Sequence, residues 1–134
     1  MKEIAPRLRF TAQLTVGEED TALALGSGEL RVLATPRLAA LMESAAWQSV
    51  APFLDEGETT VGVRLELEHT AATPVGMTVW AESELIAAEG RKLTFNVQAR
   101  DESGPIGAAV HERAVVKSGR FLEKTYGKLG RENG

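Results

Sequence analysis

One long apolar helix, set among segments that alternate like β-strands, limits most strongly how this chain can fold. The helix is predicted from Thr35, as its N-cap, to about Ala51, with Pro36 at its first position and Pro52 ending it. Few polar side chains interrupt it, so nearly its whole surface is apolar. Such a helix must be covered on more than one side. We therefore expect either a deeply wrapped sheet or a second copy of the chain.

Five other segments are predicted to be β-strands. Period-two alternation and β-forming residues mark them at residues 8–16, 59–69, 77–89, 91–101 and 106–117, and a polar connection at 17–29 precedes the helix. Short turns join the last four strands, which predicts antiparallel neighbours. The order predicts an α+β fold, with a curved antiparallel sheet around one helix, in a single domain of residues 1–134.

Composition excludes several classes of function. The chain has 43% hydrophobic and 25% charged residues, which is ordinary globular usage. Cysteine is absent, so thiolate nucleophiles, disulfides and cysteine zinc sites are excluded, and with two histidines we expect no metal and no cofactor. No apolar run approaches the ~18 residues that span a bilayer, and the N-terminus lacks the apolar core of a signal peptide. A cytoplasmic protein is predicted.

The net charge of −4 is unevenly distributed along the chain. Residues 1–116 hold 10 Lys and Arg against 17 Asp and Glu, whereas residues 117–134 hold 5 against 2. The acidic body argues against a nucleic-acid partner. The basic tail has two interpretations, a frayed C-terminus or a contact with a phosphorylated ligand. Its cations are Lys117, Arg120, Lys124, Lys128 and Arg131.

His69 ends the predicted strand at 59–69, on what strict alternation makes an apolar face. That face also carries Val61, Val63, Leu65 and Leu67. The opposite face carries Gly62, Arg64, Glu66 and Glu68. An inward imidazole is either a core residue satisfied by a backbone carbonyl or a group that exchanges protons in a site.

Glu43 is the unusual polar residue of the helix. On a helical wheel apolar side chains border it, among them Ala46, Trp47 and Val50. It is either a solvated surface carboxylate or part of a buried functional site, because buried unpaired carboxylates are costly.

Thr35 suits two roles at the start of the helix, that of N-cap and that of a group near a bound carbonyl. Eight residues separate Thr35 from Glu43, about 12 Å along the helix axis, so the two cannot touch within one chain. In a dimer, Thr35 of one subunit can approach Glu43 and His69 of the other.

Four strings carry a resemblance to a known family. Leu33-Ala34-Thr35, Leu41-Met42-Glu43, the segment from His69 to Gly76 and the segment from His111 to Val115 resemble the fluoroacetyl-CoA thioesterases, a branch of the hotdog-fold thioesterases. The resemblance implies a hotdog fold, a homodimer with its active site between subunits, and an acyl-CoA substrate.

The resemblance also implies roles for particular residues. The family's catalytic set falls on Thr35, Glu43 and His69, while Gly62 matches a glycine beside the acyl group and Arg113 an arginine near the acyl pocket. Two departures accompany it. Pro36 replaces a glycine, and residues 26–30 lack the phenylalanines that form a lid in the fluoroacetyl-specific enzyme. The likeness therefore does not extend to fluoroacetyl selectivity.

These observations lead to a principal hypothesis and two alternatives. The principal one is hydrolysis of a small acyl-CoA thioester by Thr35, Glu43 and His69, with coenzyme A as part of the substrate and its phosphates near Arg91, Lys92 or the tail. The alternatives are a non-catalytic acyl-CoA or small-ligand binder, and an acyl-CoA hydratase or dehydratase.

Overall fold

A five-stranded antiparallel sheet curves around one long helix in the computed structural model, which describes residues 1–5 and 7–130. The strands are β1 (Arg9–Thr15), β2 (Glu58–His69), β3 (Thr78–Glu89), β4 (Lys92–Asp101) and β5 (Gly104–Lys117), in the spatial order β1-β3-β4-β5-β2. The helices are α1 (Ala22–Leu25), α2 (Thr35–Val50) and α3 (Ser118–Tyr126), with 3₁₀ turns at Glu18–Asp20, Ala51–Phe53 and Gly127–Leu129. The predicted α+β architecture is confirmed, and the ends of all five strands differ from prediction by at most two residues.

The core lies between α2 and the concave face of the sheet. The helix buries its apolar stripe of Leu38, Leu41, Met42, Ala45, Ala46 and Val50. The sheet contributes alternate residues of its central strand, Leu93, Phe95 and Val97, which are all fully buried. Each large side chain contributes about 1.5–3 kcal/mol by leaving water, so this interface dominates the stability of the chain.

One side of the chain leaves apolar surface and backbone groups without a covering element. Trp47 of α2 remains 46% exposed, and Ala40 of the same helix is exposed. In the part of the chain that the structure describes, strand β2 pairs only with β5, so the outer edge of its 12 residues is free there. Val63 on this strand is 57% exposed. A long unpaired edge of this kind favours pairing with another strand.

The start of α2 differs from prediction. Ala34 is the N-cap residue, Thr35 is the first helical residue and Pro36 the second, so the N-cap role of Thr35 was wrong. The Ala34 carbonyl already accepts a hydrogen bond from the amide of Leu38 at 3.0 Å, and the Ala34 side chain makes no capping hydrogen bond. The Thr35 hydroxyl is therefore available for a different partner.

A β-bulge changes which face of β2 each residue occupies. The pairing with β5 shifts between Gly62 and Arg64, and Val63 is the extra residue. Because one inserted residue reverses the alternation, Gly62 turns inward and Val63 outward, the opposite of the sequence prediction. The inward placement of His69, which follows the bulge, is retained.

The segment after β5 is helical as far as Tyr126, so the interpretation of a frayed C-terminus was wrong for these residues. Arg131, the last cation of the basic tail, lies outside the described residues. Within the described part of the chain, no helix combines the length and hydropathy needed to cross a bilayer.

Candidate functional site

Thr35 and His69 are hydrogen-bonded to each other. Oγ1 of Thr35, at the first turn of α2, lies 2.8 Å from Nδ1 of His69, at the end of β2. The two elements are positioned by the core beneath them, since Leu38 one turn along α2 is fully buried. A hydroxyl and an imidazole from different elements are thus held in fixed relative orientation.

The other ring nitrogen of His69 is buried and has no hydrogen-bond partner among the residues described. Buried polar atoms normally have partners, so an orphan at a site of this kind points to a ligand or a group from another chain. Burial lowers the pKa of His69, and the backbone of Ala71 partly offsets this effect. The imidazole is consequently neutral at neutral pH and can accept a proton.

An open pocket of about 260 Å³ adjoins this pair. Its lining includes Thr35, His69 and small side chains from the connection before α2 and the loop after β2, namely Ala22, Ser27, Ala71 and Ala72. The pocket is large enough for a small organic group beside the imidazole.

A second polar group surrounds Glu43 at the middle of α2. Oε2 of Glu43 lies 4.0 Å from Nη1 of Arg113, and the Glu43 side chain is 43% exposed in the single chain. Gly62 makes this approach possible, because a Cβ atom there would be 2.8 Å from Glu43 Oε2 and 3.3 Å from Arg113 Nη1. The family resemblance implied that Gly62 and Arg113 are site residues, and the structure brings both together with Glu43.

Arg113 is held by two residues that the sequence reasoning did not assign to the site. Its Nε donates to Thr60 Oγ1 at 2.8 Å and its Nη2 to the Thr60 carbonyl at 3.0 Å. Its Nη1 donates to Nε2 of His111 at 3.1 Å, while Nδ1 of His111 donates to the Arg64 carbonyl at 2.7 Å. The alternation of β5, which turns His111 and Arg113 to the same face, was the available signal.

Burial lowers the pKa of His111 from its ordinary value near 6.5, and the charge of Arg113 acts in the same direction. Below that ordinary value His111 binds a proton in the unfolded chain but not yet in the folded chain. The contribution of neutral His111 to the free energy of unfolding is therefore fully present above about pH 6.5. It is lost as the pH falls, by up to about 1.4 kcal/mol per pH unit. We expect the loss between pH 7.5 and 5.5 to be smaller in His111→Gln, as measured by urea unfolding. Equal losses in both proteins would contradict this assignment.

Within one chain, the hydrogen-bonded pair of Thr35 and His69 is separate from the polar group around Glu43. Gly62 and His69 are seven residues apart on β2, and Thr35 and Glu43 are eight apart on α2, about 12 Å along its axis. Thr35 and His69 belong to the same chain, so the expectation that Thr35 approaches His69 of another subunit was wrong. Among residues 1–5 and 7–130, no three acidic or histidine side chains converge into a metal-binding group.

The sequence of this chain is similar to those of fluoroacetyl-CoA thioesterases. The model of the fluoroacetyl-CoA-specific thioesterase family matches residues 16–119. A fluoroacetyl-CoA thioesterase of Streptantibioticus cattleyicolor is 43% identical over 93 residues, which cover 69% of this chain and 67% of that protein.

Solved structures extend the similarity to nearly the whole chain. The fluoroacetyl-CoA thioesterase FlK matches with a TM-score of 0.90 at 35% identity, over 95% of this chain and 98% of that one. A hot-dog-like protein from Thermanaerovibrio acidaminovorans matches with a TM-score of 0.85 at 21% identity, over 93% of each chain. The predicted hotdog fold is confirmed.

Proposed function

Because this chain belongs to the fluoroacetyl-CoA-specific thioesterase family, we propose that it hydrolyses the thioester of a small acyl-CoA. The observation that carries the proposal is the geometry of His69. Its Nδ1 is hydrogen-bonded to Thr35, and its Nε2 is buried without a partner among residues 1–5 and 7–130. Such an arrangement suits an imidazole that receives and returns a proton at a substrate.

His69 acts in this proposal as the general base or acid. When Nδ1 carries the proton it donates to Thr35 Oγ1, and Nε2 keeps a lone pair that accepts a proton from water. The lowered pKa keeps that lone pair available at neutral pH. Thr35, at the N-terminus of α2, holds the ring and lies where the helix dipole favours a polarised carbonyl oxygen.

Glu43 completes the site from a second copy of the chain. An antiparallel pairing of two β2 edges, with a two-fold axis near the middle of the strand, brings His69 close to the partner's Gly62. Since Gly62 lies against Glu43, the same pairing brings the partner's carboxylate toward His69. The free β2 edge and the exposed Trp47 support a homodimer of this kind.

The carboxylate can serve two chemical routes. Glu43 either orients a water molecule that His69 deprotonates, or attacks the thioester carbonyl to form an anhydride that water then cleaves. Nη1 of Arg113, which Thr60 and His111 hold in place, lies 4.0 Å from this carboxylate. Both routes release coenzyme A as a free thiol, which enters only as part of the substrate.

We expect the acyl pocket to show no preference for a fluoroacetyl group. Small side chains, Ala22 and Ser27, line the pocket from the connection that precedes α2, and residues 26–30 contain no phenylalanine. Pro36 also lacks the amide hydrogen that a glycine would offer to the thioester oxygen. We therefore propose a short acyl group without selectivity for fluorine.

A panel of short acyl-CoA thioesters tests the proposal. We expect thiol release well above the uncatalysed rate for at least one member, with fluoroacetyl-CoA not preferred over acetyl-CoA, measured with a thiol-reactive dye. Binding in calorimetry without thiol release from any member would favour a non-catalytic binder. Conversion of an enoyl-CoA with its thioester intact would favour a hydratase.

Three further predictions accompany this proposal. They are a single domain over residues 1–134, a cytoplasmic location and catalysis without a metal or other cofactor. Full activity after exhaustive treatment with a chelator is the measurement that checks the last.

A further inference from the structure

His111 is a fully buried polar side chain that takes no direct part in the proposed reaction. It lies on β5, with its ring centroid 6.2 Å from that of Phe95 on the neighbouring strand. Both ring nitrogens have partners, and these partners fit one tautomer only. Nδ1 must carry the proton, because it faces a carbonyl oxygen, and Nε2 must accept, because it faces the guanidinium of Arg113. A buried ring with one fixed donor and one fixed acceptor can hold both partners in place.

The two partners of His111 belong to different parts of the group around Glu43. Nε2 accepts at 3.1 Å from Nη1 of Arg113, the same nitrogen that lies 4.0 Å from Oε2 of Glu43. Nδ1 donates at 2.7 Å to the carbonyl of Arg64, the residue that follows the bulged Val63. His111 therefore connects the cation that faces the carboxylate with the bulge of β2.

The bulge turns Gly62 inward, where the absence of a side chain leaves space for three groups of this site. A Cβ atom on Gly62 would lie 2.8 Å from Oε2 of Glu43 and 3.3 Å from both Nη1 of Arg113 and Cε1 of His111. The backbone of Gly62 and the guanidinium of Arg113 are thus the two neighbours of the carboxylate. His111 holds both, Arg113 directly and the bulge through the carbonyl of Arg64.

The Glu43 side chain depends on these neighbours for its position. Within residues 1–5 and 7–130 no hydrogen bond holds it, Arg113 is its one ion-pair partner, and 43% of the side chain is exposed in the single chain. Burial lowers the pKa of Arg113, and the negative charge of Glu43 opposes that effect, so the two groups attract each other. Because a reacting group displaced by about 1 Å can lose two orders of magnitude in rate, this arrangement bears on turnover.

We propose that His111 is a positioning residue of the thioesterase reaction, which sets the place of the Glu43 carboxylate through Arg113 and the β2 bulge. The inference rests on the proposed function. His111 touches no substrate and exchanges no proton in the reaction, and its ring holds the two partners at a fixed separation. Thr60 supports the same arrangement, because its hydroxyl and its carbonyl accept the other hydrogen bonds of the Arg113 guanidinium.

The test is a double-mutant cycle between His111 and Glu43. His111→Leu should lower kcat for the best acyl-CoA roughly tenfold with KM little changed, because the carboxylate is displaced rather than removed. In the Glu43→Ala background the same substitution should cause no further loss of kcat, since it acts only through that carboxylate. His111→Gln, which keeps one donor and one acceptor, should recover most of kcat. Equal fold losses in both backgrounds would make His111 a structural residue only and would overturn the proposal.

Two further variants keep the test decisive if His111→Leu does not fold. Thr60→Val removes one acceptor of Arg113 at nearly constant volume, and should lower kcat less but with the same dependence on Glu43. Ser83→Ala is the matched control, because Ser83 is fully buried and donates to the Ala45 carbonyl of α2 outside this group. It should lower the urea midpoint and leave kcat unchanged. A loss of kcat in Ser83→Ala as large as that in Thr60→Val would contradict the positioning role.

NMR of the ¹⁵N-labelled imidazoles gives a readout that does not depend on turnover. The chain has two histidines, so the spectrum of His111→Gln assigns both rings. We expect His111 to be the neutral tautomer with its proton on Nδ1. A proton on Nε2 would overturn the proposal, because that nitrogen could not then accept from Arg113. Absence of thiol release by the wild-type protein would reject the proposed function, whereas thiol release with equal losses in both Glu43 backgrounds would reject this inference alone.

Discussion

Replacement of His69 by Ala is expected to lower kcat for the best short acyl-CoA by about 100-fold or more, and Glu43→Ala should do the same, because each removes a group that moves a proton or forms a bond. Neither change should unfold the protein. His69 and Glu43 are only partly buried, and neither belongs to the apolar core between α2 and the sheet. Turnover by thiol release and a urea unfolding curve for each variant are the two measurements.

A matched control separates loss of a carboxylate from a general change of charge. Glu89 lies at the exposed end of β3, distant in the sheet order from the β2 edge, and has no ion pair among the described residues. Glu89→Ala should therefore keep wild-type turnover. Near-normal rates in Glu43→Ala or in His69→Ala would reject the assignment of that residue.

Mixing the two inactive variants is expected to restore activity. If Thr35 and His69 of one chain work with Glu43 of the other, a dimer of one His69→Ala chain and one Glu43→Ala chain has one intact site. In an equal mixture half of the dimers are of this type, so activity should recover to about one quarter of wild type, starting from almost none. The measurement is turnover after the variants are co-expressed or unfolded and refolded together.

The mixing experiment has a clear contrary outcome. Activity no higher than the average of the two separate variants would mean that Glu43 and His69 act within one chain. A protein that sediments as a monomer at the assay concentration and is fully active would reject the shared site as well. A second mixture, of His69→Ala with Thr35→Ala, is the control. Its activity would recover only if Thr35 and His69 of one site came from different chains. The hydrogen bond between them predicts no recovery.

The sequence was sufficient for the fold because its signals are local and repeated. Alternation over five segments and one largely apolar helix leave a sheet around a helix as the way to bury both surfaces. The sequence also allowed the catalytic candidates to be predicted, namely Thr35, Glu43 and His69. Two of them are polar exceptions in apolar patterns, and the resemblance to a thioesterase family assigned all three.

Features that depend on a single inserted residue or on one helical position could not be predicted from the sequence. Strict alternation placed Gly62 on the outer face, and the bulge at Val63 reversed it. Thr35 was expected to cap the helix, but Ala34 takes that position and frees the hydroxyl for His69. Each error is a shift of one residue, because propensity does not fix the phase of an element to that precision.

Sequence alone therefore determined the architecture and the chemical groups available to this protein, since periodicity and residue type are properties of the chain itself. Tertiary structure decided which of those groups meet. It joined Thr35 to His69, and it set Glu43 beside Gly62 and Arg113 over a buried His111. Contacts between residues distant in the chain depend on the register of strands and the packing of α2, and these are fixed only when the whole core is formed.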